Sequence, residues 1–270
     1  MTELAPIDAK TCVVRGTAQH HGRHLSVTPQ TTAARHLHYG RIVLHPDDPL
    51  LTFNTEGRET ALICLEGTAE VNGYRLERYD ALYLPRDTQV TVQAKAIDCD
   101  LAEVAAPVEK KYPVQYIRFD EVQDDPALHF HAGGPGSERD LNILIGKNAE
   151  AGRIMAGVTF SKPGNWTSWP PHEHAGMLEE AYLYIHMHPN WGLQLVYNNP
   201  NEPELVAVVH EGDVVLMPQG YHPNVSAPGG SINFLWMMAA IREGEDRQFG
   251  VVNVQPDYAS GGSGLEASHK

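Results

Sequence analysis

Gly212-Asp213-Val214-Val215-Leu216-Met217-Pro218-Gln219-Gly220-Tyr221-His222 repeats the pattern of an earlier stretch, Tyr79-Asp80-Ala81-Leu82-Tyr83-Leu84-Pro85-Arg86-Asp87-Thr88-Gln89. Each copy reads as a turn, a four-residue apolar strand, a proline that ends it and a tight bend. Another apolar strand precedes each copy and opens after a glutamate: Glu59 in the first half, Glu179 or Glu180 in the second. Two copies of one strand–turn unit imply two similar β-domains. Gln89 stands where His222 stands, so a site built on His222 would belong to the second domain alone.

The rest of the chain keeps the same rhythm. Its 24 glycines and 19 prolines punctuate short apolar runs, as in an all-β sandwich or barrel. Strands are expected at Thr60–Leu65, Ala81–Leu84, Val90–Ala94, Ile154–Phe160, Ala181–Ile185, Leu193–Tyr197, Val214–Met217 and Ile232–Ala240. In Val90–Ala94 apolar residues alternate with Thr91 and Gln93, which buries one face. A short helix is expected near Phe119–Asp124. The glycine-rich Phe130–Ser137 reads as a linker or a loop at the second domain's mouth. The expected division is an N-terminal domain over 1–125, a C-terminal one over 126–256 and a flexible tail over 257–270.

A formal charge of -14 argues against nucleic acid or an anionic membrane surface as partner. No apolar run is long enough to span a bilayer, and the N-terminus lacks the pattern of a signal peptide. Three scattered cysteines, Cys12, Cys64 and Cys99, read as reduced thiols in a cytoplasmic protein. The large share of apolar strand suggests a homodimer.

Chemistry concentrates in Trp169-Pro170-Pro171-His172-Glu173-His174-Ala175-Gly176-Met177-Leu178-Glu179-Glu180-Ala181-Tyr182. The two prolines impose an extended approach, and side chains two apart on an extended chain share a face. His172 and His174 can therefore converge on one ion. A glutamate at the start of the next strand, Glu179 or Glu180, can return to that point, and His222 closes the set from a third strand. Three imidazoles and a carboxylate suit one divalent ion of Mn, Fe, Ni, Co or Zn, with positions left open for substrate. An isolated His-x-His means little. The equally dense pairs His20/His21 and His36/His38 have no carboxylate or third partner behind them and read as solvated or edge residues.

These residues also carry a family likeness. Gly164-Asn165-Trp166-Thr167-Ser168-Trp169-Pro170-Pro171-His172-Glu173-His174 resembles the GNWSSYPPHKH signature of the 5-deoxy-glucuronate isomerases, bicupins of bacterial inositol breakdown. The likeness runs from about Arg139 to Arg242. A sister group, the 4-deoxy-L-threo-5-hexosulose-uronate ketol-isomerases, is similar around the His-x-His and the following Glu-x-Tyr-x-Tyr. The resemblance implies two jelly-roll cupin domains, the second carrying the metal, and aldose–ketose isomerisation of a deoxy-uronic acid. It selects Glu180 as the ligand, because the family's ligand precedes an x-Tyr-x-Tyr strand. Between His174 and the glutamates the chain departs from the family: Ala175–Leu178 is a shorter loop, which bears on which sugar acid fits.

Such a reaction needs a proton carrier and a cation for the substrate carboxylate. Glu179, Tyr182 and Tyr221 are the candidate acids and bases; Arg139, Gln194 and Tyr184 are the candidate substrate contacts. Arg242 reads as a surface residue. Two other classes share the ligand set: an Fe-dependent dioxygenase, which would consume oxygen, and a non-catalytic sugar-acid binding protein, which would show no turnover.

Overall fold

The computed structural model of the chain describes residues 4–95 and 97–261. It is all-β. Ala81–Leu84, Val214–Met217 and the helix Phe119–Asp124 fall where the sequence puts them. The strand expected at Ala181 instead opens at Leu178, because the antiparallel partner Asn233–Ala240 is long enough to pair with it from Ile185 back to Leu178.

Each half pairs a large sheet with a four-stranded one, and the halves match strand for strand apart from His129–Ala132 and the short pair His172–Glu173 and Asn253–Val254, which only the second half has. In the first, the large sheet centres on Arg58–Glu66, flanked by Ala81–Leu84 and Cys99–Pro107, with His38–Leu44 and Gly22–Val27 beyond. In the second, Leu178–Ile185 is flanked by Val214–Met217 and Asn233–Ala240, with Ile154–Ser161, Arg139–Ile145 and an extra edge strand, His129–Ala132, beyond. The repeated motif does the same work in both. Tyr79 and Gly212 take left-handed φ of 68° and 82°, and eight residues on Asp87 and Gly220 do so again, at 55° and 86°. Asp80 and Asp213 then cap their own turns, accepting from Glu77 N and His210 N.

The two large sheets stack on each other. Ala61, Ile63, Tyr83 and Val104 of the first share one apolar core with Val158, Ala181, Leu183 and Met237 of the second. The segments leading into the halves are exchanged. Val13–Val14 pairs with Val214–Val215, and Gln115–Ile117 pairs with Ala81–Tyr83. Asp213 binds the first arm through Gly16 N and the Arg15 guanidinium, while Asp80 binds the second through Phe119 N and the Tyr116 hydroxyl. We propose that the halves divide at about Asp125, between the helix and the strand His129–Ala132.

Three expectations change. Phe130–Ser137 is only partly loop, because its first three residues belong to the strand His129–Ala132. The start of the tail is ordered, since Pro256–Gly261 forms a 3₁₀ turn and Tyr258 packs edge-on against Trp169; residues 262–270 lie outside the described residues. His38 is buried rather than solvated, its Nδ1 on the His36 carbonyl. Among the described residues no helix is long and apolar enough to cross a membrane.

Candidate metal centre

Three imidazoles meet inside the second sandwich. His172 lies on a two-residue strand, His172–Glu173, that pairs with Asn253–Val254 of the C-terminal segment. His174 follows it, and a tight turn then sends Met177 N and Leu178 N back to the His174 carbonyl. His222 arrives after the Pro218 bend, where the left-handed Gly220 packs against the Tyr197 carbonyl; a Cβ there would lie 2.8 Å from that oxygen. The coordinating nitrogens of the three rings lie within 4.8 Å of one another. Glu180, third in its strand, sets Oε2 at 3.0 Å from His174 Nε2 and 3.1 Å from His222 Nε2.

The outer nitrogens show what this arrangement fits. His172 Nδ1 lies 2.9 Å from the Pro170 carbonyl, His174 Nδ1 3.1 Å from that of Leu178, and His222 Nδ1 2.9 Å from that of Gly220. A carbonyl oxygen only accepts, so each Nδ1 carries the proton and each neutral ring turns an Nε2 lone pair inward. A lone pair at hydrogen-bond distance from a carboxylate is repulsive unless a proton or a cation stands between them. His222 Nε2 makes the point most sharply. It is buried, and although 3.1 Å from Glu180 it points in the wrong direction for a hydrogen bond and has no partner. Three inward nitrogens beside one carboxylate oxygen are a donor set suited to a divalent cation.

Burial holds the His172 pKa down at about 3, reinforced by His222 and His174. Burial also opposes charge on His174, but its contact with Glu180 prevails and shifts it up. For Glu180, burial disfavours the anion; the contact with His174 Nε2 and the nearness of both rings outweigh it and lower the pKa to about 2. A carboxylate so held is anionic at neutral pH, as a ligand must be.

His172, His174 and Glu180 line a cavity with mainly apolar walls, among them Leu141, Leu178, Phe234, Trp236 and Met238, and Phe249–Val252 of the C-terminal segment closes one side. Two further groups stand in it. Arg139 is 4% exposed and gives hydrogen bonds to the Ser137 and Trp169 carbonyls, but among the described residues no carboxylate pairs with it. Burial without an anionic partner lowers its pKa to about 10. Gly133 makes room for it, since a Cβ there would lie 2.7 Å from Arg139 Nη1. The Tyr182 hydroxyl lies 2.7 Å from Ser168 Oγ and 3.4 Å from Glu180, and burial with that neighbouring charge raises its pKa well above 10.

Four other sequence candidates, Glu179, Gln194, Tyr184 and Tyr221, do not line the cavity. Glu179 points to the opposite face of its strand, where its oxygens accept from Arg35 N, His36 N and Leu37 N at 2.5–2.6 Å. With its acceptors engaged by the other half of the molecule, it is not placed to exchange protons with a substrate. Gln194 is fully buried, accepts from the Tyr184 hydroxyl and donates to the His222 carbonyl, so this pair braces the His222 loop. Tyr221 packs beside Tyr197, away from the cavity. Arg242 is spent on Asp246 and Glu245 at the surface. Conversely, Ser168, Thr159 and the Phe249–Val252 wall escaped the sequence reading. Ser168 sits inside the quoted signature and could have been weighed; the wall carries no chemical signal of its own.

Comparison with known proteins fits this geometry. Two 5-deoxy-glucuronate isomerases are similar to the chain over 241 residues each: that of Geobacillus thermodenitrificans is 29% identical, covering 81% of this chain and 85% of the relative, and that of Geobacillus kaustophilus is 28% identical, covering 81% and 84%. Among solved structures, an IolB-like protein of Salmonella typhimurium superposes with a TM-score of 0.79 at 22% identity, covering 92% of this chain and 98% of that one. An oxalate decarboxylase of Bacillus subtilis reaches 0.61 at 12% identity over 88% of this chain and 79% of its own, a likeness of fold alone. The KduI/IolB family profile matches residues 12–256, and the chain belongs to that family.

Proposed function

We propose that the chain is a divalent-metal-dependent aldose–ketose isomerase of a deoxy-uronic acid, converting 5-deoxy-glucuronate to 5-dehydro-2-deoxy-gluconate. The observation that carries the reading is the His172/His174/His222/Glu180 cluster, three of whose members line a cavity that also holds Arg139, a buried arginine with no anionic partner among the described residues. The first suits the two oxygens of a hydroxy-aldehyde, the second the carboxylate of a sugar acid. The relatives act on 5-deoxy-glucuronate, which combines both groups in one molecule.

His172, His174, Glu180 and His222 hold the ion, which is Mn, Fe, Ni, Co or Zn. When bound, it supplies Lewis-acid stabilisation, on the order of several kcal/mol, of charge growing on the substrate oxygens. Arg139 receives the carboxylate, which fixes the opposite end of the molecule and orients the reacting carbons. Tyr182 stays protonated at neutral pH and serves as donor to a substrate oxygen, with Ser168 Oγ as the adjoining relay. The apolar walls and the Phe249–Val252 segment limit the water that could quench an enediolate.

Proton NMR of 5-deoxy-glucuronate with metal-loaded protein in D₂O tests the reading, with His172→Ala as control. Ketone formation with deuterium entering the carbon next to the carbonyl, lost in the control, is expected. No conversion with the ion still bound, or equal conversion by the control, overturns it.

A further inference from the structure

The four-stranded sheet of each half turns its outer face to solvent, and the two faces differ in chemistry. In the first half the outward ladder reads Leu50 opposite Gln93, Thr52 opposite Thr91, Asn54 opposite Gln89, Gln93 opposite Glu70, and Glu70 opposite Arg75, with Lys95 paired to Glu70, so that Leu50 at its margin is the one apolar member. This is the polar exterior that a half-buried antiparallel sheet requires. In the second half Trp166 stands opposite Val225, Val225 opposite Leu193, Leu193 opposite Val208, and Leu195 opposite Val206. The inner partners of these strands, Thr167, Gln194, Asn224 and Ala207, are buried, so the apolar set faces outward. Val206 is 56% and Val208 44% exposed.

We propose that this face is the contact by which a second copy of the chain docks, sheet face on sheet face about a two-fold axis. Four strands of up to five residues make a face of roughly 19 by 17 Å from strand spacing and rise. That is the dry centre of a standard interface of about 800 Å² per partner, whose rim comes from surrounding loops. Contact through the open edge of Leu205–Val209 is blocked, because Arg15 already donates to the Val208 carbonyl there. The ladder has no charged member, so whatever covers it must itself present an uncharged apolar face, and a second copy of the chain supplies one of the same size. A two-fold contact also covers the patch on both copies at once and leaves none exposed. The inference is independent of the metal chemistry.

Sedimentation velocity of the full chain over a wide concentration range tests it, with Val206→Lys and Val208→Asp against Thr91→Asp on the first half's face. A wild-type dimer is expected, its dissociation constant raised at least about 30-fold by each valine substitution and unchanged by Thr91→Asp. A wild-type monomer at all concentrations, as would be seen if another protein covers the face, overturns the proposal. So does a dimer that the folded valine variants leave intact. Hydrogen exchange of the wild type decides the matter if those variants do not fold. Protection of 192–196 and 205–209 that grows with concentration supports the proposal, and exchange there that ignores dimerisation refutes it.

Discussion

The two halves share a backbone plan and diverge inside it. Strand pairing matches Glu59 with Glu179, and from there Thr60 with Glu180, Leu62 with Tyr182 and Leu84 with Met217. The first interior is closed by Ile42, Leu62, Leu82, Leu84, Val90 and Val92, all fully buried. It also holds an arginine, Arg23, but Glu103 answers it with two hydrogen bonds at 2.6 and 2.7 Å, and Glu103 occupies the position of Trp236. In the second interior Arg139 has no such answer among the described residues. A few side chains thus separate a filled scaffold from a binding cavity: a cluster of three imidazoles and a carboxylate, and one buried cation that no carboxylate among the described residues answers.

The largest expected effect breaks that difference at its centre. His222→Ala should abolish stoichiometric metal binding by elemental analysis and lower turnover by about a thousandfold or more, the scale of several kcal/mol. The reverse exchange, Gln89→His, should bind no ion in the first half, because Gln89 is exposed and Thr60 stands where a carboxylate is needed. Metal binding by the Gln89→His protein beyond the wild-type stoichiometry would show that the halves differ less than their interiors indicate.

What the halves share can be broken as well. Glu59 accepts from Gly152 N, Arg153 N and Ile154 N at 2.6–2.7 Å, as Glu179 accepts from Arg35 N, His36 N and Leu37 N. Each half therefore clamps the segment that opens a sheet strand of the other. Glu179→Ala and Glu59→Ala should each cost about 3 kcal/mol or more in urea unfolding, because each strands three backbone donors. Glu179→Ala should keep its metal and, where folded, its turnover. Loss of turnover at unchanged stability would return Glu179 to the role of acid or base.

Within the cavity, Tyr182→Phe should lower kcat about a hundredfold with little change in KM, the usual scale of a lost proton donor. A rise in KM alone would make the hydroxyl a binding contact. Tyr182 has Leu62 as its counterpart, so this hydroxyl is one of the features the first half lacks.

The sequence exposed what is local. His172 and His174 could be paired because a prolyl approach fixes an extended chain, and the Gly212–His222 repeat announced two alike units. The choice between Glu179 and Glu180 turns on one residue of strand register, and spacing alone allows both; only the family likeness singled out Glu180. The use of Glu179 as a clamp was out of reach, since its donors lie 142 to 144 residues away. Gln194 and Tyr184 are legible as polar strand residues, but which loop they brace depends on the fold of Pro218–His222. The arm exchange left no mark at all, because two or three residues of strand carry no address.

The clamp also gives the smallest and most specific prediction. His36, one of the residues held by Glu179, is partly buried near Arg153 and Arg35, and burial first, then those charges, lowers its pKa from 6.5 to about 4. A histidine depressed in the native state binds its proton more readily when unfolded, so between these values the unfolded chain carries more charge. Native stability should therefore fall as pH drops from 6.5 through about 4 and contribute no further slope below. The first half's counterpart clamp, on Gly152–Ile154, contains no histidine. His36→Gln should flatten that limb in urea midpoints measured across the window and leave the neutral-pH midpoint nearly unchanged. An unaltered slope would assign the acid sensitivity elsewhere and leave the two clamps equivalent in pH response.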